Sequence, residues 1–411
     1  MLNPSGSAQA YVHNLCNALG GAGCEVELFT GEHFERMSRC WREFRYTPRI
    51  AFYRRTQLAS HQAGLTRPVW RLLRLAGHFT SLARLTPAVG RYDVLHLHFP
   101  PVLPVDARWL HLIRRRIPVV HTVHNLWPHR SKRAARDQRW LGRLYHACHH
   151  LIAHTDDTVR GLIEEFAVAP ERVSRIPHGN FQQFWTQDRA PVAGFTNAAQ
   201  QPRTILVFGE LRPAKGADVV LRAAARLRDQ GVAFRVLVAG PPRTAVQPYR
   251  DLARELDLED RLMFDLRYID EAEVPWYFEA AAVVVLPYRV IDQSGVAVAA
   301  LTMGRAIVAT RIAGLAELVE QSEGGLLVPV DDVESLAAAL GRMLTDDGFR
   351  RRCEINGRCY AETALAWEPI AAQTIEAYRK AGAEERHSLA TLRPSVSQPR
   401  EFTKRHESLP V

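Results

Sequence analysis

A loop that lies between two glycines, Gly209 and Gly216, carries residues suited to binding phosphate groups. Its cations are Arg212 and Lys215, and an apolar strand pattern precedes it. A guanidinium and an ammonium can neutralise a diphosphate, and a helix predicted from residue 217 adds the positive end of its dipole. The alternative is an ordinary polar turn with surface charges.

A second loop of similar character follows the apolar run at residues 283–286. It contains Asp292, Ser294 and Gly295, and the residues after Gly295 predict a buried helix that ends near Gly304. Backbone N–H groups at the start of such a helix favour an anionic ligand. Because both loops follow strands of one predicted parallel sheet, we expect them at the same sheet edge, sharing one phosphate site.

Histidines cluster where a strand of the first half ends, at His121, His124 and His129. No carboxylate or cysteine stands at a spacing that completes a metal site, so we predict no metal. We expect His124 to face a cleft between two domains, and His178, at the end of a later strand, to line the same cleft. The alternative is a hydrogen-bonded loop histidine without a chemical role.

Strand and helix patterns alternate along both halves, which predicts an α/β protein with two doubly wound domains. We place the first domain at residues 1–190 and the second at 191–360, with a linker at 188–202. A helix at 361–382 and a disordered, charged tail at 383–411 are predicted to follow. A helix pattern precedes the first strand pattern, so either the first strand is missing or the start is misassigned.

Net charge is distributed unevenly along the 411 residues. Positions 1–190 carry 26 basic and 14 acidic residues, and the remainder carries 27 basic and 30 acidic residues. The whole chain has a net charge of +9. Basic residues recur at helical spacing over residues 67–78 and 132–143, beside apolar positions. Such helices either lie on an anionic bilayer or present a solvated face to water. No recognition module for nucleic acid accompanies the charge.

Other features of the composition exclude several classes of protein. No apolar run approaches the roughly 20 residues of a membrane span, and we expect no signal peptide. The six cysteines form no CxxC pair, which favours a reduced, cytoplasmic protein. No GxGxxG sequence, P-loop or Ser-His-Asp pattern is present.

Several motifs together resemble those of the GT4 family of glycosyltransferases, which build bacterial exopolysaccharides, lipopolysaccharides and glycolipids. The resemblance covers roughly residues 5–380. It includes the sequences DVLHLHF, HTVHN, RIPHGN, FGELRPAKG, VVVLPYR and TMGRAIVAT. It implies the GT-B fold, in which two Rossmann-like domains face each other across a cleft and the last helix crosses back to the first domain.

The resemblance also implies roles for individual residues. His124, Arg212 and Lys215 would be catalytic, with His124 near the transferred sugar and both cations on the diphosphate. The donor would be bound by the following residues: Gly6, Ser7, Gly209, Arg212, Lys215, Asp292, Ser294 and Gly295. The expected reaction is hexose transfer from a UDP- or GDP-sugar to a lipid-linked or polysaccharide acceptor, with retention and without metal. The basic first domain would lie peripherally on the anionic inner face of the plasma membrane.

Three positions depart from the family pattern. The paired glutamates that many members carry are Ile291 and Ala299 here, and the arginine after the loop glycine is Glu210. The sugar and ribose contacts of the donor are therefore unassigned. Two alternatives stay open: a sugar-nucleotide epimerase of the same fold, and a non-catalytic protein that binds sugar nucleotides.

Overall fold

The computed structural model describes residues 1–5, 8–31, 44–52, 67–127, 135–186, 202–291 and 293–391. In this part of the chain the first sheet is parallel and seven-stranded. Its strands are β1 (Leu2–Asn3), β2 (Glu27–Gly31), β3 (Thr47–Phe52), β4 (Leu95–His98), β5 (Val119–Val123), β6 (His150–Ala153) and β7 (Val173–Arg175). They lie in the order β3-β2-β1-β4-β5-β6-β7.

The second sheet is also parallel and has six strands in the described residues. They are β8 (Arg203–Phe208), β9 (Phe234–Ala239), β10 (Leu262–Asp265), β11 (Ala281–Leu286), β12 (Ala306–Thr310) and β13 (Gly325–Val328). The order is β10-β9-β8-β11-β12-β13. Every residue of β11 and β12 is buried, as expected for central strands covered on both faces.

Helices connect the strands in both halves and cover the sheets. Those of the first half are α1 (Gln9–Gly21), α2 (Arg67–Leu85), α3 (Leu103–Ile113), α4 (Ala135–Ala147), α5 (Asp156–Glu164) and α6 (Gln183–Thr186). Those that follow are α7 (Ala217–Asp229), α8 (Gln247–Glu255), α9 (Val274–Ala280), α10 (Gly295–Thr302), α11 (Ala313–Ser322), α12 (Val333–Thr345), α13 (Asp347–Thr363) and α14 (Trp367–Thr391). The prediction of two α/β halves built on parallel sheets is confirmed.

The prediction that the first sheet lacks its first strand is wrong. Leu2 pairs with Phe29 of β2 and with Leu97 of β4, so β1 is an interior strand, third of the seven in the sheet. Two residues carry no periodicity from which a strand can be recognised. The predicted linker at 188–202 lies outside the described residues except at its last position, and the domain boundaries stay a prediction.

The last helix crosses back to the first sheet, as predicted. Trp367 donates a hydrogen bond from Nε1 to the carbonyl oxygen of Asn180 at 2.8 Å, and the hydroxyl of Tyr378 is 2.8 Å from Nδ1 of His96. Gly179 permits this contact, because a Cβ there would lie 2.3 Å from the Trp367 ring. The helix continues to Thr391, so the predicted disorder of the whole segment 383–411 is wrong for its first part.

Helix α2 presents an unexpected face to solvent. His78, predicted to belong to an exposed basic row, is fully buried, with its Nε2 2.6 Å from Oδ1 of Asp106 on α3. Leu72 and Phe79, two of the apolar positions beside the basic residues, are 66% and 62% exposed. The helix therefore buries His78 together with Leu82 and Leu85, because the buried carboxylate of Asp106 pairs with the imidazole. Among the described residues no helix combines the length and apolar composition that a membrane span requires.

Candidate active site

The two loops predicted to share a phosphate site lie in contact with each other. Gly216 adopts a positive φ of 68°, and a Cβ on it would lie 2.1 Å from the carbonyl oxygen of Pro287. The backbone N–H of Arg289 donates to the carbonyl of Ala214 at 2.9 Å. Only glycine allows so close an approach in this conformation. The contact brings the turn that carries Lys215 against the loop that leads to Ser294.

Lys215 lies over an aromatic ring at this contact. Its Nζ is 3.5 Å from the centroid of the Tyr288 ring. Burial and, to a smaller extent, the nearby Arg212 guanidinium lower the pKa of Lys215 to about 7, against the opposite effect of the Glu210 carboxylate. The ammonium therefore loses its proton near neutral pH, and an anion placed beside it would raise the pKa and favour the charged form.

Arg212 is joined to a second arginine that the sequence analysis missed. The Glu210 carboxylate forms ion pairs with Arg212 and with Arg243, the latter at 2.8 Å from Nη2 to Oε1. Glu210 stands where the family pattern has arginine, and here it holds two guanidiniums. Arg243 comes from the loop after β9, and no motif at that position indicated it.

Ser294 caps the helix whose N-terminus was predicted to face the ligand. Its Oγ accepts a hydrogen bond from the N–H of Ala297 at 3.2 Å, which leaves the first N–H groups of α10 for other partners. A Cβ added to Gly209 would lie 3.7 Å from Val296, so that glycine faces the first turn of α10. Gly6, Ser7 and Asp292 lie outside the described residues.

On the side of the cleft opposite Ser294, four neighbouring strands of the first sheet each end at a histidine or shortly before one. His98 ends β4, and His124, His154 and His178 come shortly after β5, β6 and β7. Their rings surround Tyr11, whose centroid lies 4.7 Å from that of His178 and 5.0 Å from that of His124. We call these four residues and the buried His96 and His121 the histidine cluster. His154, His178 and Ser294 line one narrow cleft between the two halves.

His124 is held from two sides. Its ring stacks on Phe99 at a centroid distance of 4.0 Å, and its Nε2 is 3.1 Å from Nδ1 of His98. Burial lowers its pKa well below the ordinary value, and the neighbouring imidazoles lower it further. The imidazole is therefore neutral at pH 7. Within the described residues no group of His, Cys, Asp and Glu side chains is arranged to hold a metal ion.

Comparison with known proteins identifies the family. The profile described as Glycosyltransferase Family 4 matches residues 8–179, and the profile described as Glycosyl transferases group 1 matches residues 202–346. A D-inositol 3-phosphate glycosyltransferase of Saccharomonospora viridis is 30% identical over an alignment of 309 residues that covers 71% of each chain. The chain belongs to glycosyltransferase family 4.

Longer but weaker similarity extends over almost all of the glycosyltransferase. An enzyme of the same name from a Nocardioides species is 27% identical over 94% of this chain and 87% of its own length. The crystal structure of Anabaena HepE in complex with UDP and glucose superposes with a TM-score of 0.69 at 19% identity, covering 95% of this chain and 98% of HepE. The protein is thus a glycosyltransferase of the GT-B type, as predicted.

Packing residues occupy the two positions, Ile291 and Ala299, at which the family pattern has paired glutamates. Ala299 is buried inside the core of the second half, and Ile291 packs against the same core. Neither position leaves a carboxylate in the cleft. Arg175 of β7 is one link between the two halves, because its guanidinium pairs with Glu317 of α11 while its Nε is 2.9 Å from Oδ1 of Asp156.

Acid should destabilise the protein, because the histidine cluster is neutral in the folded chain. Burial lowers the pKa values of His121 and His154 to about 4, whereas an unfolded histidine has a pKa of about 6.5. Between these values the unfolded chain binds more protons. The free energy of unfolding should therefore fall by about 3 kcal/mol per such histidine as pH drops from about 6.5 to 4. Urea denaturation at a series of pH values measures this.

A matched pair of variants assigns the effect to the cluster. His154→Gln should flatten the pH dependence of stability, whereas His111→Gln, at an exposed position of α3, should leave it unchanged. A free energy of unfolding that does not vary over this pH range would contradict a neutral cluster.

Proposed function

We propose that this glycosyltransferase moves a hexose from a UDP- or GDP-sugar to a lipid-linked or polysaccharide acceptor in the synthesis of a cell-surface glycan. The observation that carries the donor assignment is the contact between the Lys215 turn and the loop leading to Ser294. HepE binds UDP and glucose in its crystal structure, which supports a nucleotide sugar as the donor here.

In this proposal the diphosphate lies between the Lys215 ammonium, the Arg212 guanidinium and the first N–H groups of α10. Negative charge grows on the leaving phosphate as its bond to the sugar breaks, and fixed donors stabilise that charge more than they stabilise the ground state. We propose that no metal is needed, since these groups already stabilise the negative charge on the leaving phosphate. Turnover in EDTA tests that point.

The acceptor hydroxyl would attack from the side of the first sheet, near His124. A neutral imidazole can donate a hydrogen bond to a hydroxyl or accept one from it without adding charge to the site. Its fixed orientation between Phe99 and His98 reduces the entropy cost of aligning that hydroxyl. We propose retention of the anomeric configuration, which proton NMR of the first product reads directly.

Removing the Lys215 charge should slow sugar transfer with the fold intact. Lys215→Met keeps the length of the side chain but removes the ammonium, and loss of one such donor to a developing anion lowers kcat by about 10²-fold or more. Release of nucleoside diphosphate in the presence of acceptor lipid extract measures turnover. Arg222→Met, at an exposed position of α7, is the matched control and should keep wild-type activity. Equal turnover in all three proteins would refute the assignment.

Donor affinity should weaken as pH rises above neutrality. Lys215, with a pKa of about 7, must be protonated to bind a diphosphate, so binding raises its pKa and takes up a proton. The affinity for a nucleotide sugar should therefore be greatest below pH 7 and fall by up to about tenfold per pH unit above it. Isothermal titration of the best-bound nucleotide sugar measures this.

The Lys215→Arg variant tests the origin of that pH dependence. Arginine stays charged at every pH used, so its affinity should vary little with pH. A wild-type affinity that is flat between pH 6 and pH 9 would exclude Lys215 as the titrating group.

We also propose that the first half lies on the cytoplasmic face of the plasma membrane through α2. Leu72, Leu73 and Phe79 are exposed on this helix, together with the basic Arg74 and Arg84. An exposed apolar row beside cations suits the interface of an anionic bilayer, where burial of the row and charge attraction both contribute.

Acidic substitutions in the apolar row should abolish vesicle binding. The double variant Leu72→Glu with Phe79→Glu should no longer sediment with vesicles of phosphatidylcholine and phosphatidylglycerol, whereas Ile355→Glu, at a residue of α13 that is 67% exposed, should sediment as wild type does. Sedimentation of the double variant at wild-type levels, or none by the wild type, would contradict membrane docking.

A further inference from the structure

A cavity of about 420 Å³ lies beside His124 at the carboxyl edge of the first sheet. Most of its wall comes from the segment after β4 and from helices α3 and α4. The apolar side chains that form this wall include Phe99, Pro100, Pro101, Leu103, Leu141 and Leu144. The volume falls within the range of sites for small organic ligands.

Three of the six polar residues that line the cavity, His121, Thr122 and Tyr145, have hydrogen-bond partners outside it. The Tyr145 hydroxyl donates to the carbonyl of Leu126 at 2.8 Å, and Thr122 Oγ1 is 2.7 Å from Nε2 of His96. Of the described residues that line the cavity, none carries an Asp, Glu, Lys or Arg side chain. Such a wall offers little compensation to an ionised group that loses its water.

Two lining residues adopt a backbone conformation that is unfavourable for them. Phe99 has a φ of 44° and Ala8 a φ of 46°, in the left-handed region that non-glycine residues rarely occupy. This conformation places the Phe99 ring against His124. Strain of this kind persists where the surrounding structure holds it, and it concentrates at functional sites.

We propose that this cavity receives an uncharged apolar group, alkyl or aryl, that is attached close to the accepting hydroxyl. The inference rests on the proposed transferase function and narrows its acceptor to an alcohol or glycoside with an apolar aglycone. The apolar group fills the space between α3 and α4, and the hydroxyl lies at His124. The relatives whose names specify inositol 3-phosphate would act on a charged acceptor, so the acceptor specificity differs here.

Binding of simple glycosides to the UDP-saturated protein tests the inference without turnover. The probes are methyl, hexyl and phenyl β-D-glucoside and glucose 6-phosphate, measured by isothermal titration. Each methylene that enters the cavity should tighten binding by about fourfold, so the hexyl glucoside should bind at least tenfold more tightly than the methyl glucoside. Comparison of the hexyl and phenyl probes shows whether the group is a chain or a ring.

Two substitutions on α3 locate the effect. Leu103→Glu places a carboxylate in the cavity wall at the start of the helix, where the dipole tolerates it, and should remove the preference for the hexyl probe. Leu112→Glu, at a position that is 61% exposed and outside the cavity, should keep it. Nucleotide affinity, measured in parallel, verifies that both variants are folded.

The outcomes distinguish a failure of the apolar-acceptor proposal from a failure of the proposed transferase function. Equal binding of the methyl and hexyl probes, no binding of either, or tighter binding of glucose 6-phosphate would overturn the apolar acceptor while leaving donor binding unaffected. Failure of UDP, GDP and their sugars to bind would instead overturn the proposed transferase function.

Discussion

The close approach of Gly216 to the carbonyl of Pro287 is the contact on which the proposed donor site depends. It requires a residue without a side chain at a positive φ, and it brings two βα turns of one sheet together. Lys215 is thereby placed over Tyr288, and the loop continues to the cap of α10 at Ser294. Two turns that are each an ordinary feature of a parallel sheet thus bring Lys215 and the loop leading to the N-terminus of α10 to one edge of the second sheet.

The opposite wall of the cleft has a different electrostatic character. Four parallel strands end in a histidine or are followed by one, and burial, with repulsion from neighbouring imidazoles at His124 and His178, keeps these side chains neutral. Ser294, at the N-terminus of α10, therefore shares a cleft with neutral imidazoles that can form hydrogen bonds with a hydroxyl. In the proposed reaction, negative charge develops on the leaving phosphate at this helix end while the attacking group is an alcohol. The positions where the family pattern has paired glutamates hold the packing residues Ile291 and Ala299, so in the proposed function the donor chemistry is assigned to the cations and the helix end.

Much of this arrangement could be predicted from the sequence. Strong alternation of strands and helices predicted both sheets, and the glycine-flanked turn predicted where Arg212 and Lys215 lie. The full histidine cluster could also have been predicted, because every strand pattern from residue 93 to 176 ends in or shortly before a histidine. Other features depended on tertiary contacts: β1 is too short for a periodic signal, and His78 is buried because of a carboxylate on another helix. The ion pairs of Glu210 join neighbouring loops whose proximity no local pattern encodes.

A crystal structure with bound nucleoside diphosphate tests the central claim most directly. We expect the terminal phosphate within hydrogen-bond distance of Lys215 Nζ and of the first N–H groups of α10, with Arg212 turned toward the phosphates. A nucleotide bound elsewhere, with its phosphates distant from both Lys215 and Ser294, would contradict the account.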